Sequence, residues 1–201
     1  MIYLASRSPR RRELLAQIGV KFEPLLFRGG PREDPDTDES PQPGEQPDAY
    51  VRRVTTAKVQ AAWQRVVMRR GLRRMPVLAA DTTVSLAGEI LAKPADRADA
   101  ERMLRILAGT RHRVLTAVAV AFEQRTEMAV SESEVTFAPL DDARIQAYVA
   151  SGEPYDKAGG YGIQGRAGAF VERLEGSYSG VMGLPLYETA NLLRLFGIVV
   201  P

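Results

Sequence analysis

A wholly apolar run that ends in a charged residue constrains this chain more than any other segment. Pro76 to Ala80 carries no polar side chain, and Asp81 follows it directly. A short continuous apolar run is typical of a buried strand. A carboxylate at the end of such a strand is costly to bury unless it is paired or bound to a metal. The run therefore predicts a buried strand and makes Asp81 the strongest candidate for catalysis; the alternative is an aspartate that caps a turn.

Strand-like and helix-like segments alternate along the rest of the chain, and they predict an α/β protein. Further strands are predicted over residues 1–5, 84–86, 90–93, 113–122, 128–137 and 169–174, and helices over 48–70, 141–151 and 185–196, after Ser8 and after Asp96. Because only a short polar stretch joins the segments 113–122 and 128–137, we expect a mixed sheet rather than a purely parallel one. Residues 1–201 are long enough for one domain with a substantial core.

Composition excludes several classes of protein. The 201 residues include no cysteine, which excludes disulfides, zinc fingers and thiol nucleophiles. The 27 basic and 25 acidic residues give a net charge of +2, too balanced for a protein that coats nucleic acid. Met1 to Ala5 is too short an apolar run for a signal peptide, and no run of eighteen apolar residues exists. We therefore expect a cytoplasmic protein without a membrane span.

A glycine-rich segment from Gly152 to Gly165 has the composition of a ligand-binding loop. It holds five glycines, which let the backbone approach a ligand closely, together with Asp156, Lys157 and Gln164. The alternative is a flexible surface connection. Tyrosine and isoleucine side chains are interleaved with the glycines, and they favour an ordered, packed loop.

Two further positions are candidates for binding an anion. Ser8 and Pro9 have the residue types preferred at a helix start, and Arg7 and Arg10 add positive charge to the free N–H groups there. Lys58 lies on the apolar side of the helix predicted over 48–70, so that it points into a site or extends outward along the surface. Solvated basic groups are the alternative at both positions.

Three further polar features do not by themselves indicate a functional site. The acidic, proline-broken segment from Arg28 to Pro47 favours a solvated loop, although Asp36 to Glu39 supplies the hard oxygen ligands that a divalent cation prefers. The arginines over 69–74 follow a helix end, where cations complement the helix dipole without a partner. The only histidine, His112, has no second ligand or nucleophile at a suitable spacing, so we assign it no chemistry.

Several motifs together resemble the Maf family of nucleotide pyrophosphatases. They lie at residues 4–15, 36–39, 80–82, 90–94, 152–165 and 176–185, and so span nearly the whole chain in order. The resemblance implies an elongated mixed sheet in two lobes around a cleft, similar to the inosine triphosphate pyrophosphatases. It also implies cleavage of nucleoside triphosphates to monophosphate and pyrophosphate. The form of the glycine-rich loop resembles the subgroup that acts on dTTP and UTP, with modified pyrimidine nucleotides as further candidates.

The same resemblance implies roles for individual residues. Asp81 would be the general base, and Glu39 and Asp81 would hold a divalent cation, Mg²⁺ or Mn²⁺. Gln164 has one donor and one acceptor group, which can pair with N3–H and O4 of uracil or thymine. The other residues expected to bind or select the substrate are Ser6, Arg10, Lys58, Thr82, Lys93 and Lys157.

Two alternatives stay open at the level of sequence. One is a 7-methyl-GTP pyrophosphatase of the same family, and the other is a non-catalytic nucleotide-binding regulator of cell division. A homodimer is plausible for the family, and we expect no stable nucleic-acid partner.

Overall fold

A mixed sheet forms the centre of the protein. The computed structural model describes residues 1–25 and 37–200, and seven strands of these residues pair in the order β2-β1-β3-β5-β6-β7, with β4 also paired to β3. The strands are β1 (Ile2–Leu4), β2 (Phe22–Pro24), β3 (Val77–Leu86), β4 (Glu89–Leu91), β5 (Arg111–Phe122), β6 (Arg125–Phe137) and β7 (Val171–Glu175). Strand β1 runs parallel to β2 and β3, and the other pairs are antiparallel.

Several helices begin at a residue whose side chain caps the first turn. The helices are α1 (Pro9–Gln17), α2 (Pro47–Met68), α3 (Arg97–Leu107), α4 (Asp142–Ala150), α5 (Tyr178–Met182) and α6 (Leu186–Leu195). Ser8, Asp96 and Asp141 each accept a hydrogen bond from the backbone N–H three residues later, which satisfies a donor that the first turn leaves free. The starts predicted after Ser8 and Asp96 are therefore confirmed.

The alternation of side chains along β3 divides the core between the two faces of the sheet. Val77 and Ala79 pack with residues of α2 on one face. Leu78 packs with residues of α1, α5 and α6 on the other face, and Val84 packs on α3 and α4. Because successive residues of a strand point to opposite faces, this one strand supplies both sides of the core.

The α/β class and the mixed sheet with flanking helices are confirmed, but one prediction about β3 is wrong. Asp81 does not end the strand, since β3 continues to Leu86 and pairs with β5 along its length, Asp81 opposite Ala117. Two short elements were not predicted from the sequence: β2, which is partly exposed, and α5, which is five residues long and contains Gly180. The division into two lobes stays a prediction.

Among the helices of the described residues, none combines the length and the apolar character that crossing a bilayer requires.

Candidate active site

A cleft of about 1060 Å³ follows the free edge of β3. On that side, β1 pairs with β3 only as far as Leu78, and β4 pairs with β3 only from Val84 onward. Between these two residues, no strand of the described chain covers the edge of β3. Because backbone groups at this edge are not consumed by pairing, the cleft can hold a polar molecule against the sheet.

Two carboxylates and two lysines meet at the centre of this cleft. Lys58 Nζ lies 2.6 Å from Asp81 Oδ1 and 2.7 Å from Glu39 Oε1. Lys93 Nζ lies 3.1 Å from Glu39 Oε2. The side chains of Lys58 and Asp81 are only 10% and 11% exposed, so their charges interact with little screening by solvent. Of the two alternatives for Lys58, the structure shows the side chain pointing into the cleft rather than outward along the surface.

The ion pairs keep Lys58 and Glu39 charged despite their burial. Burial by itself lowers the pKa of Lys58, but the charges of Asp81 and Glu39 outweigh it, so its pKa is raised overall. Burial likewise raises the pKa of Glu39, but Lys58 and Lys93 outweigh it, so its pKa is lowered overall. The cleft therefore presents a carboxylate and an ammonium side by side.

Helix α2 fixes the loop that carries Glu39. Tyr50 donates a hydrogen bond of 2.8 Å to the backbone oxygen of Glu39. Arg53 donates one of 2.9 Å to the backbone oxygen of Ser40 and binds both carboxylate oxygens of Glu45 at 2.7 and 2.9 Å. These bonds from Arg53 lower the pKa of Glu45 to about 2. Glu39 is thus held over the cleft by the same helix that carries Lys58. The rest of the segment predicted as a solvated loop, residues 28–36 with Asp36, lies outside the described residues.

Arg11, which was not predicted from the sequence, also lines the cleft. Its Nε lies 2.7 Å from the backbone oxygen of Gly183, and its Nη1 lies 3.3 Å from Ser6 Oγ. Its Nη2 lies 3.3 Å from Thr82 Oγ1. Burial lowers the pKa of Arg11 and the nearby charge of Asp81 raises it, but burial has the larger effect, so the pKa is lowered overall. A signal was available, because positions 11, 14 and 15 share the buried face of α1 at helical spacing.

Arg10 lies at the wall of the same cleft, with its Nη2 3.9 Å from Asp156 Oδ2 in the glycine-rich segment. A contact of this length and exposure is weak by itself. It nevertheless places the start of α1 opposite that segment, so that Arg10 and Lys157 face one cleft from two sides.

The glycine-rich segment is ordered, as predicted, and forms two short 3₁₀ helices, Glu153–Asp156 and Ala158–Gly160. A third, Arg166–Phe170, follows it directly. Lys157 Nζ donates to the backbone oxygen of Glu153 at 2.6 Å, and its alkyl chain passes where a Cβ on Gly162 would lie. The carboxylate of Glu153 accepts hydrogen bonds of 3.1 Å from Tyr148 Oη and from the backbone N–H of Arg166. These contacts fix the turn that carries Gln164, which lines the cleft.

His112 supports this segment from behind. Its Nε2 lies 2.8 Å from the hydroxyl oxygen of Tyr161, and Phe137 packs edge-on against both rings. Burial lowers the pKa of His112 to about 4, so the ring is neutral at physiological pH. A neutral, buried ring agrees with the interpretation of His112 as structural.

Comparison with known proteins assigns the chain to a family. The family model described as Maf-like protein matches residues 1–196. The chain belongs to the Maf family. A dTTP/UTP pyrophosphatase of Ralstonia nicotianae is 60% identical over 200 residues, which cover 99% of this chain and 95% of that protein. A dTTP/UTP pyrophosphatase of Dechloromonas aromatica is 58% identical over 196 residues, which cover 98% of this chain and 97% of that protein.

A solved structure of the Ham1 protein of Staphylococcus aureus is 16% identical and covers 68% of this chain and 71% of that one. Its TM-score of 0.45 is too low to support an argument about this Maf-family chain. The likeness to inosine triphosphate pyrophosphatases therefore stays a prediction.

All residues predicted for the site line one cleft of this Maf-family protein. They are Ser6, Arg10, Glu39, Lys58, Asp81, Thr82, Lys93, Lys157 and Gln164. They come from the loop before α1, from α1, from the loop before α2, from α2 and β3, from the loop after β4 and from the glycine-rich segment. Most of these segments are far apart in sequence. The cleft therefore brings a carboxylate pair, several cations and an amide within reach of one ligand.

Proposed function

We propose that this protein hydrolyses dTTP and UTP to the nucleoside monophosphate and pyrophosphate. The single observation that carries the proposal is the buried pair of Asp81 and Lys58, in a cleft that Arg10, Arg11 and Lys93 also line. A buried carboxylate among cations suits the activation of water beside a polyphosphate. The names of the relatives, each a dTTP/UTP pyrophosphatase, support the same reaction.

In this reaction Asp81 acts as the general base. It accepts a proton from a water molecule whose oxygen bonds to the α-phosphorus, while the bond from that phosphorus to the bridging oxygen breaks and pyrophosphate leaves. The ion pair with Lys58 orients the carboxylate toward the cleft. A positioned base of this kind contributes about 10²–10⁴ in rate.

Cations on two sides of the cleft stabilise the charge on the phosphates. Arg10 and Arg11 come from α1, Lys93 comes from the loop after β4, and Lys157 comes from the glycine-rich segment. Phosphoryl transfer depends mainly on position and electrostatics, and preorganised cations are most effective in a site that excludes water.

The donor set also fits a divalent cation. Glu39 and Asp81 offer hard carboxylate oxygens that meet across one ammonium group. The described residues contain no cluster of three or more metal-ligating side chains. Two carboxylates suffice for Mg²⁺ or Mn²⁺, since Mg²⁺ commonly takes its other ligands from phosphates and water. When bound, the cation supplies charge neutralisation at the phosphate oxygens.

Base selection is proposed for Gln164, with Arg10 and Thr82 nearby. The side chain of Gln164 is exposed at the cleft and makes no hydrogen bond to any other described residue, so its amide is available to the N3–H and O4 of a pyrimidine. Exclusive turnover of 7-methyl-GTP, in a panel that includes dTTP and UTP, would contradict this assignment.

The deciding experiment measures pyrophosphate release from nucleoside triphosphates, with and without Mg²⁺, by the wild type and by Asp81→Asn. We expect Asp81→Asn to fold and to lose about 10²–10⁴ of the rate. Asp142→Asn is the matched control, because Asp142 pairs with Arg105 on the surface and should keep full activity. Turnover retained by a folded Asp81→Asn protein would overturn the assigned base. Binding without any turnover by the wild type would favour a regulator instead.

A further inference from the structure

A chain of hydrogen bonds connects Arg11 to helix α5 through two threonines. Arg11 Nη2 lies 3.3 Å from Thr82 Oγ1, which in turn lies 3.0 Å from Thr116 Oγ1. Thr116 Oγ1 lies 2.8 Å from the backbone oxygen of Gly180. Thr82 and Thr116 are direct partners across β3 and β5. Thr116 is 1% exposed and does not line the cleft, so it cannot touch a ligand there.

Chemistry gives every bond in this chain a single direction. The Gly180 oxygen carries no proton, so Thr116 donates its only hydroxyl proton to it. A guanidinium group has no acceptor, so Arg11 donates to Thr82. Only one arrangement remains for the bond between the hydroxyls, in which Thr82 donates to Thr116. The proton of Thr82 is therefore committed away from the cleft.

The chain of hydrogen bonds closes into a ring, because Arg11 also bonds the turn that contains Gly180. Gly180 and Gly183 belong to one turn at α5, and the Gly183 oxygen accepts from Arg11 Nε at 2.7 Å. Together with Ser6, these contacts engage three of the five N–H groups of Arg11. The other two N–H groups have no partner within residues 1–25 and 37–200. They are free for an anion in the cleft, and a guanidinium binds phosphate oxygens in a two-pronged manner.

We propose that Thr116 is a positioning residue of this site. It fixes the direction of the Thr82 hydroxyl, so that Thr82 offers a lone pair to Arg11 rather than a proton to the substrate, and Arg11 is held with two N–H groups toward the triphosphate. Thr82 on this basis influences the substrate through Arg11. The inference deepens the proposed function and rests on it for the identity of the substrate.

The test removes the hydroxyl of Thr116 while keeping its shape. Thr116→Val should lower kcat/KM for dTTP about tenfold and weaken binding of inorganic tripolyphosphate, measured by calorimetry, by a similar factor. Thr116→Ser keeps the hydroxyl and should stay within about twofold of the wild type. Because both threonines belong to one chain of hydrogen bonds, Thr82→Val and the double variant Thr82→Val/Thr116→Val should show nearly the same loss of kcat/KM and of tripolyphosphate affinity.

A matched control is Thr189→Val. Thr189 on α6 is fully buried, lies outside the cleft and has a hydroxyl without a partner in the described structure, so its removal should leave both measurements unchanged. If Thr116→Val does not fold, Thr116→Cys replaces it with the same expectation, since a thiol is a weak donor.

Three results would overturn the role of Thr116: wild-type values for Thr116→Val, equal losses for the serine and valine variants, or additive losses in the double variant. Failure of the proposed function looks different. In that case the wild type does not turn over dTTP, while the tripolyphosphate series still reports whether Thr116 positions Arg11.

Discussion

A single ammonium group stabilises both carboxylates of the candidate site. Lys58 bonds Asp81 and Glu39 at nearly equal distances, and all three side chains are largely removed from solvent. Two carboxylates so close together repel each other, and each loses hydration on burial. Lys58 therefore has a structural role in addition to any contact with phosphate.

Replacement of Lys58 by methionine should separate that structural role from an ordinary surface ion pair. We expect Lys58→Met to lower the free energy of unfolding by about 3 kcal/mol, because it leaves the buried carboxylate of Asp81 without its cation and Glu39 with Lys93 alone. Lys93→Met is the control: Lys93 is 44% exposed, and its pair with Glu39 should contribute less than about 1 kcal/mol. Urea unfolding of both variants measures the difference. Equal losses would contradict a special role for Lys58.

At the level of elements, the glycine-rich segment depends on space that only glycine leaves. A Cβ on Gly165 would collide with the carboxylate of Glu153. That carboxylate joins Tyr148 of α4 to the backbone N–H of Arg166, on either side of the turn with Gln164. The shape of the turn therefore depends on one glycine and on the half-buried carboxylate of Glu153.

Gly165→Ala should displace Glu153 and disturb the turn. We expect at least a tenfold loss of kcat/KM for dTTP and a destabilisation of about 1–3 kcal/mol, the cost of overpacking. In Gly71→Ala, by contrast, the new methyl group meets nothing within 4 Å and the backbone is not left-handed, so both quantities should be unchanged. Steady-state kinetics and thermal unfolding of the two variants measure these two effects. Normal kinetics for Gly165→Ala would show that the turn tolerates a shift of Glu153.

Sequence patterns predicted the helices and strands better than they predicted how the strands pair with one another. The apolar run before Asp81 and the apolar face around Lys58 marked both residues as candidates, and both line the cleft. The continuation of β3 beyond Asp81 depends on its pairing with β5, which no local pattern reveals. Arg11 was obscured by the arginines at 10 and 12, although its spacing from Leu14 and Leu15 marks the buried face.

In the molecule as a whole, the long strands β3 and β5 connect two hydrophobic clusters that lie at different positions along these strands. On β3, Leu78 belongs to the cluster with α1 and α6, whereas Val84 belongs to the cluster with α3 and α4. On β5, Val118 and Val114 are divided in the same way. Neither cluster can lose its strands without disrupting the other.

Core truncations at opposite ends should therefore affect one shared unfolding transition. Leu15→Ala and Leu104→Ala each remove a fully buried side chain and should cost about 2–5 kcal/mol. Fluorescence of the only tryptophan, Trp63 on α2, should give the same urea midpoint as circular dichroism in both variants. An earlier circular dichroism midpoint in Leu104→Ala, with the Trp63 signal unchanged, would show that the ends unfold separately.

Asp81 and Thr82 are neighbours in the chain, yet they serve opposite sides of the sheet: one meets Lys58 of α2, the other Arg11 of α1. A slip of β3 by a single residue would exchange the acid and the hydroxyl between these surroundings. Loops on either side of this strand can change in length, but one inserted or deleted residue between Val77 and Asp81 would turn the carboxylate to the face of the sheet that carries Arg11 and leave the ammonium of Lys58 without it.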